Sequence, residues 1–241
     1  MTRRPESCSA TCAGPLRFDN GTLEGLKWLA LILMTGDHVN KYVFADSLPG
    51  LFELGRIAMP LFMLVLAYNL ARPGAFQSGV HRRMGMRLAT FGALATLPYI
   101  AITGVLGGWW PLNMMFTLLL LTLICWLVDH GTPVHSLLAV LAFSLGGSLV
   151  EYWWPGLLLG LACWGYCKQA SRFRLTLVMV ATAALWPVNH NYWAMAFLPF
   201  LFIAPRVHLA WPRYPHLFYV YYPAHLTALW AFIRIAATSA R

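Results

Sequence analysis

Acidic side chains are scarce in this sequence. Asp and Glu number 8 against 17 Lys and Arg, and charged residues of both signs make up only 10% of its 241 positions. Soluble domains ordinarily carry about a quarter charged residues, so a water-facing surface over the whole chain is excluded. Cysteine is equally sparse: Cys8 and Cys12 lie in a polar stretch, Cys125 stands alone, and Cys163 and Cys167 fall one turn apart in an apolar run. That spacing gives neither a disulfide framework nor a zinc-ligand pattern, so all five read as structural or incidental and no metal is expected. A P-loop, a nucleophile elbow and a His-x-x-x-His helix are missing too. No internal inverted repeat is visible, which weighs against a carrier. Residues 1–21 are polar, broken by Pro and Gly, and lack the apolar run of a signal peptide, so they read as a short cytoplasmic tail.

What fills the chain instead is apolar: 59% hydrophobic residues and a mean hydropathy of +0.62. Crossing ~30 Å of hydrocarbon takes roughly 20 apolar residues per helix. Segments of about that length recur at 22–43, 55–72, 84–106, 112–129, 134–150, 153–168, 173–188, 192–205 and 215–236. The expectation is an all-α, polytopic integral membrane bundle with about nine spans, forming a single membrane domain over 22–241. Alternate loops hold Arg3, Arg4 and Arg17, then Arg72, Arg82, Arg83 and Arg87, then Lys168, Arg172 and Arg174, then Arg206 and Arg213. The positive-inside rule makes those loops cytoplasmic, with the N-terminus inside. The net charge of +9 is therefore a topology signal and a contact for anionic lipid rather than a nucleic-acid surface. Trp109, Trp110, Trp153 and Trp154 fit an outer interfacial belt.

Polar groups inside spans are costly and face protein or a watery cavity. Lys27 lies near the inner end of the first span, and His38 follows roughly 16 Å further along at 1.5 Å per residue. His225 in the last span reaches a similar outer depth, as do Glu53 and Arg56 at the start of the second. Asn113, His190 and Tyr222 are further candidates for the pocket, Asn113 and His190 doubling as turn residues and Tyr222 as packing. Asp37 adjoins His38, but adjacent helical residues do not face one another; Arg56 and His225 are equally open to it. A histidine base, a carboxylate and an arginine suit acyl transfer from a thioester, the histidine deprotonating the nucleophile and the cation meeting the oxyanion. Phosphates of an acyl-CoA could then be held by Lys27, Arg82, Arg83, Arg87, Arg172 or Arg213 on the inner side.

Several blocks carry a resemblance. Lys27 and His38, with ten residues between them, resemble the basic-x10-His signature of the membrane acyltransferase-3 family. LKWLALILMTGDHVNKY at 26–42, GRIAMPLFMLVLAYNLAR at 55–72 and FYVYYPAHL at 218–226 are similar to the TraX family of conjugative-plasmid proteins, including its TrbP branch. The resemblance implies an acetyl-CoA-dependent enzyme of the bacterial inner membrane that acetylates the N-terminus of the conjugative pilin. It implies His38 as base, Asp37 as its partner, Arg56 as a site arginine and His225 as a second polar member. Three alternatives remain at this stage: a pilin assembly chaperone, a factor in head-to-tail pilin cyclisation, and a small transporter.

Overall fold

The computed structural model describes residues 16–104 and 109–239, which are helical apart from short connections and one isolated bridge between Leu112 and Val150. In chain order the helices are α1 (Asn20–Val43), α2 (Pro49–Gly55), α3 (Ala58–Ala71), α4 (Val80–Thr103), α5 (Met114–His130), α6 (Pro133–Gly146), α7 (Trp153–Lys168), α8 (Arg172–Ala183), α9 (Trp186–Asn189), α10 (Leu198–Ile203) and α11 (Leu217–Ser239). Short 3-10 turns at Trp193–Phe197 and Ala204–Arg206 flank α10.

Local chemistry sets several of these ends. Asn113, Thr132 and Ser171 each accept a backbone N–H with their side chains, starting α5, α6 and α8. Gly104 and Gly131 end α4 and α5 in the left-handed conformation that costs a glycine least. Pro223 sits inside α11 without stopping it. The expected span at 173–188 is shorter than anticipated: α8 stops at Ala183, and Pro187 opens the separate turn α9. The 192–205 segment is one continuous helical stretch, Trp193–Arg206, that switches between 3-10 and α turns near Pro199 and Pro205.

Helix α3 is the centre of the molecule, with eleven of its fourteen residues buried. A helix apolar all round belongs in such a place; α1 and α7 pack on it, while α11 packs on α4 and α1. The surface inverts the usual arrangement. Leu97, Val134, Leu145, Phe173, Phe232 and Ile235 are all largely exposed, while Glu24, Asp37, Asn40, His81, Asn113 and His225 are buried. Two helical stretches, Pro49–Ala71 and Val80–Thr103, are long and apolar enough to cross a membrane, with mean hydropathies of 1.7 and 1.3.

The N-terminal boundary needs a correction. Arg3, Arg4, Cys8 and Cys12 lie outside the described residues, but Phe18, expected in a polar tail, is buried edge-on against Tyr68. Its backbone N–H donates to the Tyr68 hydroxyl at 3.0 Å, so the packed chain begins before residue 22. At the other end of the bundle, Trp110 and Trp154 donate to the carbonyls of Ser148 and Ser144, pinning the α6–α7 turn.

Candidate functional site

Two histidines from opposite ends of the chain meet. His38 on α1 and His225 on α11 stack with ring planes 12° apart, and Nδ1 of His38 lies 2.8 Å from Nε2 of His225. Hydrogen-bond chemistry fixes the direction of this contact. His225 Nδ1 lies 3.1 Å from the Tyr221 carbonyl, which can only accept, so the His225 proton sits on Nδ1. Its Nε2 is then the acceptor for His38 Nδ1–H, leaving the lone pair of His38 on Nε2. Tyr221 continues the stack against His225 at 11°, and its hydroxyl donates to Thr35 Oγ1, whose own proton goes to the Leu31 carbonyl.

Asp37 turns elsewhere. Its Oδ2 accepts from Arg56 Nη2 at 2.5 Å, and both side chains are only 13% exposed. Arg56 also donates from Nε to the Phe52 carbonyl and lies over the Phe52 ring, which sets the plane of its guanidinium. Gly55 makes the approach possible: a Cβ there would come within 2.8 Å of three Asp37 side-chain atoms. The pairing of Asp37 with His38 implied by the resemblance is thus replaced by two separate pairs, His38 with His225 and Asp37 with Arg56.

Below the histidines lies a cavity of about 420 Å³. Tyr221 and Tyr222 close it toward His225, and Tyr222 also meets the His225 ring edge-on. Leu31, Met34, Leu66 and Leu118 contribute apolar wall, and five cations line it: Lys27, Arg72, Arg83, Arg87 and Arg213. Lys27 is held 2.5 Å from Glu24 and over Phe218; Arg72 donates to Asn20. Arg82 and Arg172, anticipated as phosphate contacts, are exposed and do not line it. Arg72, which the sequence marks only as a loop charge, lines the cavity from just past the end of α3.

The remaining anticipated residues disperse. Asn113 caps α5 and donates to the Gly92 carbonyl at 3.0 Å, a structural role. His190 is exposed beside Trp186 in a separate shallow hollow, and Glu53 makes no side-chain bond among the described residues. Glu151 was not anticipated. It stands in the α6–α7 turn within Coulombic reach of Tyr42 and Tyr222, the two rings that also flank His38 and His225. Burial pushes its carboxyl up to about 7. Nothing in hydropathy or periodicity marks an acid in an aromatic turn; its being one of eight acids in the chain was the available signal.

Neither curated proteins nor solved structures give a match to the chain. A family model described as TraX protein matches residues 22–233, a stretch that includes His38, Asp37, Arg56, His225 and every cation of the cavity. The chain belongs to the TraX family.

Proposed function

We propose that this chain is an inner-membrane acyltransferase that moves acetyl from acetyl-CoA to an amine of the conjugative pilin during pilus maturation. Family membership supports the conjugation setting. The exposed apolar helix faces and buried polar groups support a bundle of about nine spans in lipid, with the basic loops and the N-terminus cytoplasmic. The observation that carries the chemistry is the directed His38–His225 pair at the end of a cavity lined by cations.

In this reading the cations receive the phosphates of acetyl-CoA, and the apolar wall takes the pantetheine arm, within the size range of small-molecule sites. The thioester reaches the level of Tyr221 and the histidines. The acceptor nitrogen attacks the carbonyl carbon, and its proton passes to His38 Nε2. The C–S bond then breaks, and the departing sulfur takes that proton back. His225 keeps His38 in the tautomer that presents a lone pair and shares the charge His38 acquires. Arg56, whose plane is set by Asp37 and Phe52, is the candidate donor to the oxyanion.

The test is the intact mass of the cognate pilin from wild-type, deletion and His38→Ala strains. Pilin one acetyl group heavier only in the wild type is expected. Equal masses in all three, with pilus assembly lost on deletion, would replace the enzyme with an assembly factor.

A further inference from the structure

His38 and His225 do not themselves line the cavity; two tyrosine rings stand between. Along α1 the lining residues Lys27, Leu31 and Met34 fall on one helical face, and His38 continues that face one turn beyond Met34, about 6 Å further at 1.5 Å per residue. Along α11, His225 likewise lies one turn past Tyr221 and Tyr222, which line the cavity and set their rings against His225 at centroid distances of 5.2 and 5.4 Å. Both helices therefore aim the cavity at the histidine pair, and the tyrosines stop it just short.

Tyr221 is tethered at three points. Its hydroxyl lies 2.8 Å from Thr35 Oγ1 on α1, and because the Thr35 proton goes to the Leu31 carbonyl at 2.7 Å, Tyr221 is the donor. Its ring lies face to face with His225 at 11°, and its backbone carbonyl holds His225 Nδ1–H at 3.1 Å. Turning the ring aside would break the Thr35 bond and unstack His225. The neighbouring wall offers no relief, since Leu31, Met115 and Tyr222 are themselves buried. One residue thus fixes the histidine and bounds the room in front of it.

We infer that Tyr221, held by Thr35, is the specificity-determining residue that limits the transferred acyl group to acetyl. The inference rests on the acyl-transfer reading and says which thioesters that same site takes. An acyl donor lying along the cavity brings its carbonyl carbon to the closed end, because the attacking nitrogen must pass its proton to His38 Nε2. The tail beyond that carbon then projects against the Tyr221 ring. A methyl group is the shortest such tail, whereas every added methylene meets a ring that turns only by losing its bonds. In a closed apolar pocket one methylene too many is worth roughly 10- to 200-fold in discrimination.

The full-length protein in lipid nanodiscs tests this with acetyl-, butyryl- and hexanoyl-CoA as donors and a synthetic peptide with a free α-amine as acceptor, kcat/KM being read for each donor. Wild type is expected to prefer acetyl over butyryl by about 100-fold or more. Tyr221→Ala is expected to cut that preference at least tenfold by gaining on butyryl-CoA, with binding of CoA itself within about threefold of wild type. Tyr221→Phe and Thr35→Val remove the same hydrogen bond from opposite sides, so each should relax the preference by about two- to tenfold, and the double variant no further. A preference unchanged in every variant, including equal loss on all three donors, overturns the inference while leaving acyl transfer standing. So does a wild type that uses the three donors alike. If Tyr221→Ala loses CoA binding, the Tyr221→Phe and Thr35→Val pair decides: a matched relaxation supports the inference, and no relaxation overturns it. A wild-type protein that transfers none of the three acyl groups overturns the acyl-transfer reading and this inference with it.

Discussion

His38 and His225 are 187 positions apart in sequence, yet their ring nitrogens stand 2.8 Å apart, and the Tyr221 carbonyl decides which of them holds the shared proton. The two residues are therefore unequal. Replacing His38 by Ala removes the base itself, and loss of a positioned base typically costs 10²- to 10⁴-fold. His225→Gln retains an acceptor for His38 Nδ1–H and is expected to lower kcat far less than His225→Ala does. Steady-state kinetics with labelled acetyl-CoA check this ordering, with donor binding within twofold of wild type in all three variants.

The Asp37–Arg56 pair predicts a stability cycle. Removing one partner of a buried ion pair typically costs 3–5 kcal/mol because the other charge is stranded. With each side chain still 13% exposed, the lower end of that range is expected here. Asp37→Asn and Arg56→Met should each destabilise by about 3 kcal/mol, and the double variant by clearly less than their sum. Gly55→Ala should cost about 1–3 kcal/mol by pressing on Asp37. Thermal unfolding in one detergent, followed by intrinsic Trp fluorescence, measures all four.

The helices were legible in the sequence because length, apolar runs and breakers such as Gly104 and Gly131 are local signals. The 192–205 segment runs as one apolar helical stretch, Trp193–Arg206, whose turns change between 3-10 and α geometry where Pro199 and Pro205 fall. Cost in a membrane marks His38, Arg56 and His225 in the sequence as polar candidates, and the structure brings the two histidines together. The sequence does not mark their partnerships. Adjacent positions on a helix point about 100° apart, so Asp37 beside His38 in sequence says nothing of contact, and its partner Arg56 comes from just past α2, across a gap that Gly55 leaves open. A count of loop charges likewise does not tell that Arg72 lines the cavity while Arg82 and Arg172 lie outside it.

Their different placement makes the cations separable by experiment. Arg87→Gln and Arg213→Gln face the cavity and should each weaken acetyl-CoA binding about 10- to 100-fold, the range expected from one charge-assisted hydrogen bond. Arg82→Gln and Arg172→Gln project elsewhere and should change it less than twofold. Calorimetric titration of each variant with acetyl-CoA at two salt concentrations checks the contrast, since the wild-type affinity should fall with salt and the cavity variants should show a shallower fall.

Glu151 ties stability to pH in a stated direction. Its carboxyl is raised by burial from an ordinary value of 4.5 to about 7, so between those values the folded chain holds a proton that the unfolded chain has released. Folding is then favoured by acid: the contribution is complete below pH 4.5 and is lost as pH rises through about 7. A shift of that size corresponds to at most about 3 kcal/mol, less because the residue is partly open to solvent. Glu151→Gln cannot ionise and keeps the shape of the protonated acid. The variant is therefore expected to match wild type near pH 5 and to exceed its unfolding temperature at pH 8. A difference between the two proteins that stays constant from pH 5 to pH 8 would show that the Glu151 carboxyl does not titrate in that window.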